Sequence, residues 1–224
     1  MDDFKRLLSK SQLEAVPRMK NGCILNGGVG SGKSRTALYY YIKETKKRIP
    51  LVIITTAAKR DKREWESEMT PFRLNDGSVI VDSWNNIHKY SKFVGNFFVF
   101  DEDRVTGSGK WVKTFLNIAR KNKWIILSAT PGDKWEDYIP VFVANGYYKN
   151  RSEFLEEHAV YARYCTFPKI DKWIGVGHLI RLRNSILVPM DDMRTTERHD
   201  TVIKCDYDRG KYKDVMKTRW DIYK

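Results

Sequence analysis

The string GGVGSGKS at positions 27–34 combines a flexible backbone with one cation and one terminal hydroxyl. Gly27, Gly32, Lys33 and Ser34 match G-x-x-x-x-G-K-[ST], the spacing of a phosphate-binding loop. Glycine lets the chain turn so that successive N–H groups point at one anion, and Gly28 and Gly30 relax the steric limits further. A helix beginning near Lys33 adds the positive end of its dipole. Lys33 would reach the β- and γ-phosphates of a nucleoside triphosphate, and the Ser34 hydroxyl would ligate Mg2+. The expected nucleotide contacts are Gly27, Gly28, Val29, Gly30, Ser31, Gly32, Lys33, Ser34 and Arg35.

A second string, VFDEDR at 99–104, closes an apolar run with acids. Asp101 can hold Mg2+, directly or through water, and Glu102 can orient and deprotonate an attacking water. A third, LSATP at 127–131, places Ser128, Ala129 and Thr130 after another apolar run. Small hydroxyl residues at a strand's C-terminal edge can bond to an acidic pair and relay its state. The expected catalytic set is Lys33, Asp101 and Glu102, with Ser34 and Asp101 as the metal pair. The implied chemistry is in-line attack of water on the γ-phosphate of ATP, with Mg2+ as cofactor.

These strings need strands ending beside one another. Apolar runs at 22–26, 51–55, 78–81, 96–100 and 124–127 read as five strands. They are continuous rather than alternating, as expected of strands covered on both faces. Helices are expected over 3–20, from the phosphate loop to about residue 47, and over 59–69, 85–90 and 110–121. Strands alternating with helices imply βαβ crossovers, hence an α/β fold of RecA-like P-loop type with a mostly parallel central sheet flanked by helices. After Pro131 the rhythm changes. Helices are expected over 133–144 and 153–164, an irregular stretch over 167–178, a strand over 201–205 and an amphipathic helix over 211–223. The expected division is a core over 1–145 and a helical extension of the same domain over 146–224.

The chain has 224 residues, enough for one large α/β domain, and 42% hydrophobic residues supply its core. Lysine and arginine exceed aspartate and glutamate to give a net charge of +13, which suggests an anionic polymer as partner. Cys23, Cys165 and Cys205 form no paired motif, and the four histidines are scattered, which argues against a zinc site and for a reduced, cytoplasmic setting. The first residues lack the apolar stretch of a signal peptide, and no window approaches the roughly 20 apolar residues of a membrane span.

Taken together, the strings resemble the first RecA-like domain of superfamily 2 helicases and translocases, above all the Snf-type branch and its small viral relatives. GGVGSGKS is similar to motif I, DEDR to motif II and SATP to motif III. LVIITTAAKRDKREWESE at 51–68 is similar to motif Ia, and VIVDSWNNIHKY at 79–90 to the segment before motif II. SQLEAV at 11–16 resembles the upstream glutamine motif, which implies that Gln12 reads the adenine edge. The resemblance implies an ATP-dependent motor on nucleic acid, DNA in preference to RNA. It places a backbone-directed track on Thr55, Thr56, Lys59 and Arg60 and on Ser83, Trp84 and Asn85, with the loop 106–110 as a third candidate. A packing role for Trp84 is the competing expectation. Arg104 departs from the family pattern, where many relatives carry histidine. The family's second RecA-like domain, with its arginine fingers, would lie beyond Lys224 or on a separate chain. Two other readings fit part of the pattern: a viral packaging ATPase of terminase type, and a module that binds nucleotide without motor activity.

Overall fold

The computed structural model describes residues 2–218 except 76, 103–104, 164, 166 and 191–205. Six strands form one sheet: β1 (Ile24–Asn26), β2 (Leu51–Thr55), β3 (Val79–Ser83), β4 (Phe97–Asp101), β5 (Lys123–Ser128) and β8 (Leu187–Pro189). Their order is β3-β2-β4-β5-β1-β8, and every pairing is parallel. Helices α1 (Lys10–Ala15), α2 (Lys33–Thr45), α3 (Ala57–Asp61), α4 (Glu64–Met69), α5 (Lys110–Ala119), α6 (Trp135–Ala144), α7 (Arg151–His158) and α8 (Val176–Ile186) accompany it. A two-stranded antiparallel sheet pairs β6 (Ala159–Tyr161) with β7 (Ile170–Trp173).

The continuous apolar runs are explained by two cores, one on each face. Leu25, Leu51, Ile53, Phe97, Val99, Ile125 and Leu127 join the cluster that includes Leu38 and Tyr41 of α2 and Trp65 of α4. The alternate residues, Ile24, Val52, Ile54, Phe98, Phe100 and Ile126, pack with Phe115 of α5, Phe142 of α6 and Leu179 of α8. Each inner strand therefore buries both sides, and period-two alternation of polarity never appears.

Several elements depart from the sequence expectation. The helix over 3–20 is three pieces, because Ser9 and Gln12 form a capping box that starts α1 afresh and Pro17 sits in a following 3₁₀ turn over Val16–Arg18. The helix over 59–69 is α3 and α4, split where Arg63 takes a left-handed φ of 55°. The helix expected over 153–164 ends at His158, and the chain continues as β6. Asn150 caps its start, its Oδ1 accepting the Glu153 N–H at 3.0 Å. The stretch expected to be irregular carries β7 and the start of α8. The sixth strand, β8, was not expected; it is three residues long and ends in a proline, which an edge strand tolerates.

Residues Met1–Asp192 form one compact unit, so α8 and β8 belong with the sheet. Met193–Lys224 form a second unit, in which α9 (Arg209–Thr218) is described and presents Tyr212 and Met216 to solvent. The strand expected over 201–205 and the end of the last expected helix lie outside the described residues. No helix among the described residues is long and apolar enough to cross a membrane.

Candidate active site

The glycine-rich string lies where its chemistry requires, between the end of β1 and the start of α2. Gly30 and Gly32 have left-handed φ values of 84° and 79°. The φ at Gly32 favours glycine, and a Cβ there would also fall 2.1 Å from Gln12 Nε2, so that the amide would have to leave the loop. Lys33 Nζ donates to the carbonyls of Gly27 and Gly28 at 2.6 and 2.7 Å, inside the loop it follows. Ser31 Oγ is buried and has no hydrogen-bond partner among the described residues, a polar atom inside the cradle that an anion or its water would satisfy.

Gln12 is buried against this loop. Its Nε2 donates to the Ser31 carbonyl at 3.1 Å, and its Oε1 accepts the Ser9 N–H at 2.9 Å. Both ends of the amide are thus engaged in holding the loop and capping α1. Arg35 donates through Nε to Glu68 Oε2 at 3.0 Å and ties α2 to α4.

Asp101 ends β4, with its side chain 5% exposed. Its Oδ2 accepts from Thr55 Oγ1 at 2.8 Å, Lys59 Nζ at 3.1 Å and Trp65 Nε1 at 3.1 Å. Its backbone carbonyl accepts the Trp84 indole N–H at 3.0 Å. Oδ1 accepts no hydrogen bond among the described residues. Glu102 follows with a left-handed φ of 64°, an uncommon conformation for a residue with a side chain, and it pairs with Lys59 Nζ at 3.2 Å. Burial pushes the Lys59 ammonium down, but the Asp101 and Glu102 carboxylates outweigh it and hold the group above its ordinary value.

The sheet brings the three strings together. Asn26 is in register with Ser128, Asp101 with Leu127, and the Gly27 N–H bonds to the Ser128 carbonyl at 3.2 Å. A cavity of about 360 Å3 is lined by Val29, Gly30, Gly32, Lys33, Ser34, Lys59, Glu68, Asp101, Glu102, Leu127, Ser128 and Ala129. An adjoining cavity of about 270 Å3 shares Ser34, Lys59, Glu68 and Asp101 and adds Trp65. The expected bond from the Ser128 hydroxyl to the acidic pair does not reach Asp101: Ser128 Oγ accepts the Thr130 N–H at 3.1 Å instead. Ser34 and Asp101 line both cavities, and one Asp101 oxygen is uncommitted, so this pair fits the Mg2+ assigned to it from sequence.

The expected nucleic-acid residues divide. Thr55 is fully buried and spends its hydroxyl on Asp101, so it is an interior residue and not a surface contact. Lys59 turns into the acidic pair. The Arg60 guanidinium is engaged by Asp61, Asp82 and Ser83. Trp84 is 2% exposed, stacks on Phe100 with centroids 5.5 Å apart and packs at a tilt against Trp111 at 6.1 Å, which is the packing role. Thr56, Ser83, Trp84 and Asn85 do line a shallow cavity of about 180 Å3 with Ala57 and Trp111. Arg104 lies outside the described residues. Sequence reasoning missed Trp65 and Glu68 as members of the site, and nothing in the spacing of Trp65 pointed to a carboxylate.

No protein-family model matches the chain, and no curated protein matches it in sequence. Solved structures do resemble it. The SWI2/SNF2 ATPase core of Sulfolobus solfataricus, in complex with double-stranded DNA, superposes with a TM-score of 0.63 at 18% identity over 81% of this chain and 44% of that one. The helicase domain of Pyrococcus furiosus Hef gives 0.49 at 16% identity over 72% and 42%, and the UvsW helicase of bacteriophage T4 gives 0.45 at 18% identity over 64% of each. The first likeness shows the fold: a RecA-like α/β domain with a parallel central sheet flanked by helices. The chain spans less than half the length of that ATPase core.

Proposed function

We propose that this chain is the ATP-binding domain of a helicase-type or translocase-type motor that hydrolyses ATP with Mg2+ to move on nucleic acid, DNA in preference to RNA. The observation that carries the reading is the shared cavity, where the glycine loop, Lys33, Ser34, Asp101, Glu102 and Ser128 converge from three strand ends. Backbone N–H groups of the loop and the start of α2 would bind the phosphates. Lys33 would exchange its loop carbonyls for phosphate oxygens, a charge-assisted contact. Ser34 and Asp101 would hold Mg2+, which neutralises charge developing on the phosphates. Glu102 would orient water and take its proton. The net charge of +13 supports a polyanionic track, and the DNA-bound state of the archaeal SWI2/SNF2 core supports DNA.

The reading includes a second RecA-like domain, in cis or on another chain, that supplies arginine to the γ-phosphate. An arginine of this kind is worth roughly 10³–10⁵ in rate in other NTPases, so this chain alone should turn over slowly. The test is ATP turnover with and without DNA or RNA, for the wild type and for Glu102→Gln. Stimulation by DNA, lost by roughly 10²-fold or more in Glu102→Gln with nucleotide binding retained, is expected. Wild-type turnover in Glu102→Gln would remove Glu102 as the base.

A further inference from the structure

Three donors from three successive elements converge on one oxygen. Thr55 closes β2, Lys59 lies on α3 and Trp65 on α4, at 2.8, 3.1 and 3.1 Å from Asp101 Oδ2. The donors differ in kind. Thr55 and Trp65 are 0% and 2% exposed and neutral, and Trp65 packs in the core cluster with Ile53 and Val99. Lys59 has a side chain 31% exposed and carries its charge on a long stem that also reaches Glu102. Three donors on Oδ2 fix the rotation of the carboxylate and leave Oδ1 as the oxygen without a hydrogen-bond partner among the described residues. A partner that holds the second oxygen of a metal-binding carboxylate sets the direction in which the first is offered.

We infer that Thr55 and Trp65 are positioning residues for the Mg2+-binding carboxylate of Asp101, and that Lys59 is a removable counter-cation that opposes the dication at the same acidic pair. The inference rests on the nucleotide-site reading proposed above. It assigns the donors opposite signs. Loss of a neutral donor loosens the carboxylate and weakens the metal site. Loss of Lys59 leaves two carboxylates without their shared cation, and the surplus negative charge draws Mg2+ more strongly. A purely structural role for all three would weaken the site in every variant or in none.

The experiment is calorimetric binding of ADP to the full chain in EDTA and across a Mg2+ titration. The variants are Thr55→Val, Trp65→Phe and Lys59→Gln, with melting curves to confirm folding. Thr55→Val keeps the shape of the side chain while losing the donor, and Trp65→Phe loses the indole N–H together with part of a buried ring, a packing loss that its melting curve measures. The ADP affinity of each variant in EDTA serves as its own reference, so that only the metal-dependent gain is compared with the wild type. Thr55→Val and Trp65→Phe should need about tenfold more Mg2+ for the metal-dependent gain in affinity, the scale of one hydrogen bond to a charged group. Lys59→Gln should need severalfold less. In a chain that already carries Asp101→Asn, Trp65→Phe should add nothing, because the two act through one carboxylate. Wild-type Mg2+ requirements in Thr55→Val and Trp65→Phe would overturn the positioning role, and a raised requirement in Lys59→Gln would overturn the counter-cation. A wild-type chain that binds no ADP with or without Mg2+ would overturn the nucleotide-site reading and this inference together, a result distinct from failure of the variants alone.

Discussion

Two buried aspartates end neighbouring parts of the same sheet edge, and they are held in opposite ways. Asp82, on β3, uses both oxygens: Oδ1 accepts from Arg60, the Ser83 N–H and Asn86 at 3.1, 2.7 and 2.8 Å, and Oδ2 accepts from Tyr90 at 2.7 Å. Asp101, on β4, gathers three donors on Oδ2 and none on Oδ1 among the described residues. The first is a carboxylate with both oxygens engaged, and it pins the turn after β3. The second has one whole oxygen left over, beside the phosphate loop. A buried acid with both oxygens bonded to protein is a structural device, and one held firmly on a single side is equipped to bind something else.

Exchanging the two roles by mutation should break the comparison most sharply. Asp101→Asn should abolish most Mg2+-dependent turnover, by roughly 10²-fold or more, while leaving the fold intact. Asp82→Ala should do the reverse, keeping nucleotide affinity and costing about 1–3 kcal/mol of stability as buried donors lose their acceptor. Turnover and chemical denaturation of both variants check this, and a matched loss of stability in the two would erase the distinction.

A smaller effect is a pH dependence carried by Asp82. Burial pushes the Asp82 carboxyl up, but the hydrogen bonds from Asn86, Tyr90, the Ser83 amide and Arg60 outweigh it and hold the group at about 2, below its ordinary 3.8. A depressed folded-state value stabilises the protein above the unfolded-state value and loses that contribution as pH falls through the folded one. The Asp82 contribution should therefore be complete above about pH 4–5 and vanish towards pH 2. Melting temperatures across that range should fall less steeply in Asp82→Asn than in the wild type. Equal slopes would mean that Asp82 is not a source of the acid sensitivity.

How much of this could be read from sequence depended on whether the chemistry constrained the residue directly. The phosphate loop was legible because left-handed backbone at Gly30 and Gly32, with the close approach of Gln12 at Gly32, leaves few alternatives to glycine. The inner strands were legible because both faces are apolar. Strand β8 was not, since three residues with a terminal proline carry no period, and its place beside β1 is a tertiary fact. Lys59 and Arg60 read as backbone-contacting cations in the sequence, and the acceptors that draw them towards the sheet, Asp101 and Glu102 for one and Asp82 for the other, lie far along the chain. The hydroxyl of Thr55 and the indole of Trp65 were hidden for the same reason: a donor's partner is set by strand order, which local pattern does not encode.

The central claim is that the loop at 27–34 and Asp101 form one Mg–ATP site, and its most direct measurement is calorimetric titration of ATP and Mg2+ into the wild type and Lys33→Ala. Binding to the wild type, weakened by about tenfold or more in the variant through loss of a charge-assisted contact, is the predicted result. Equal affinity in the two proteins, or no binding to the wild type, would contradict it.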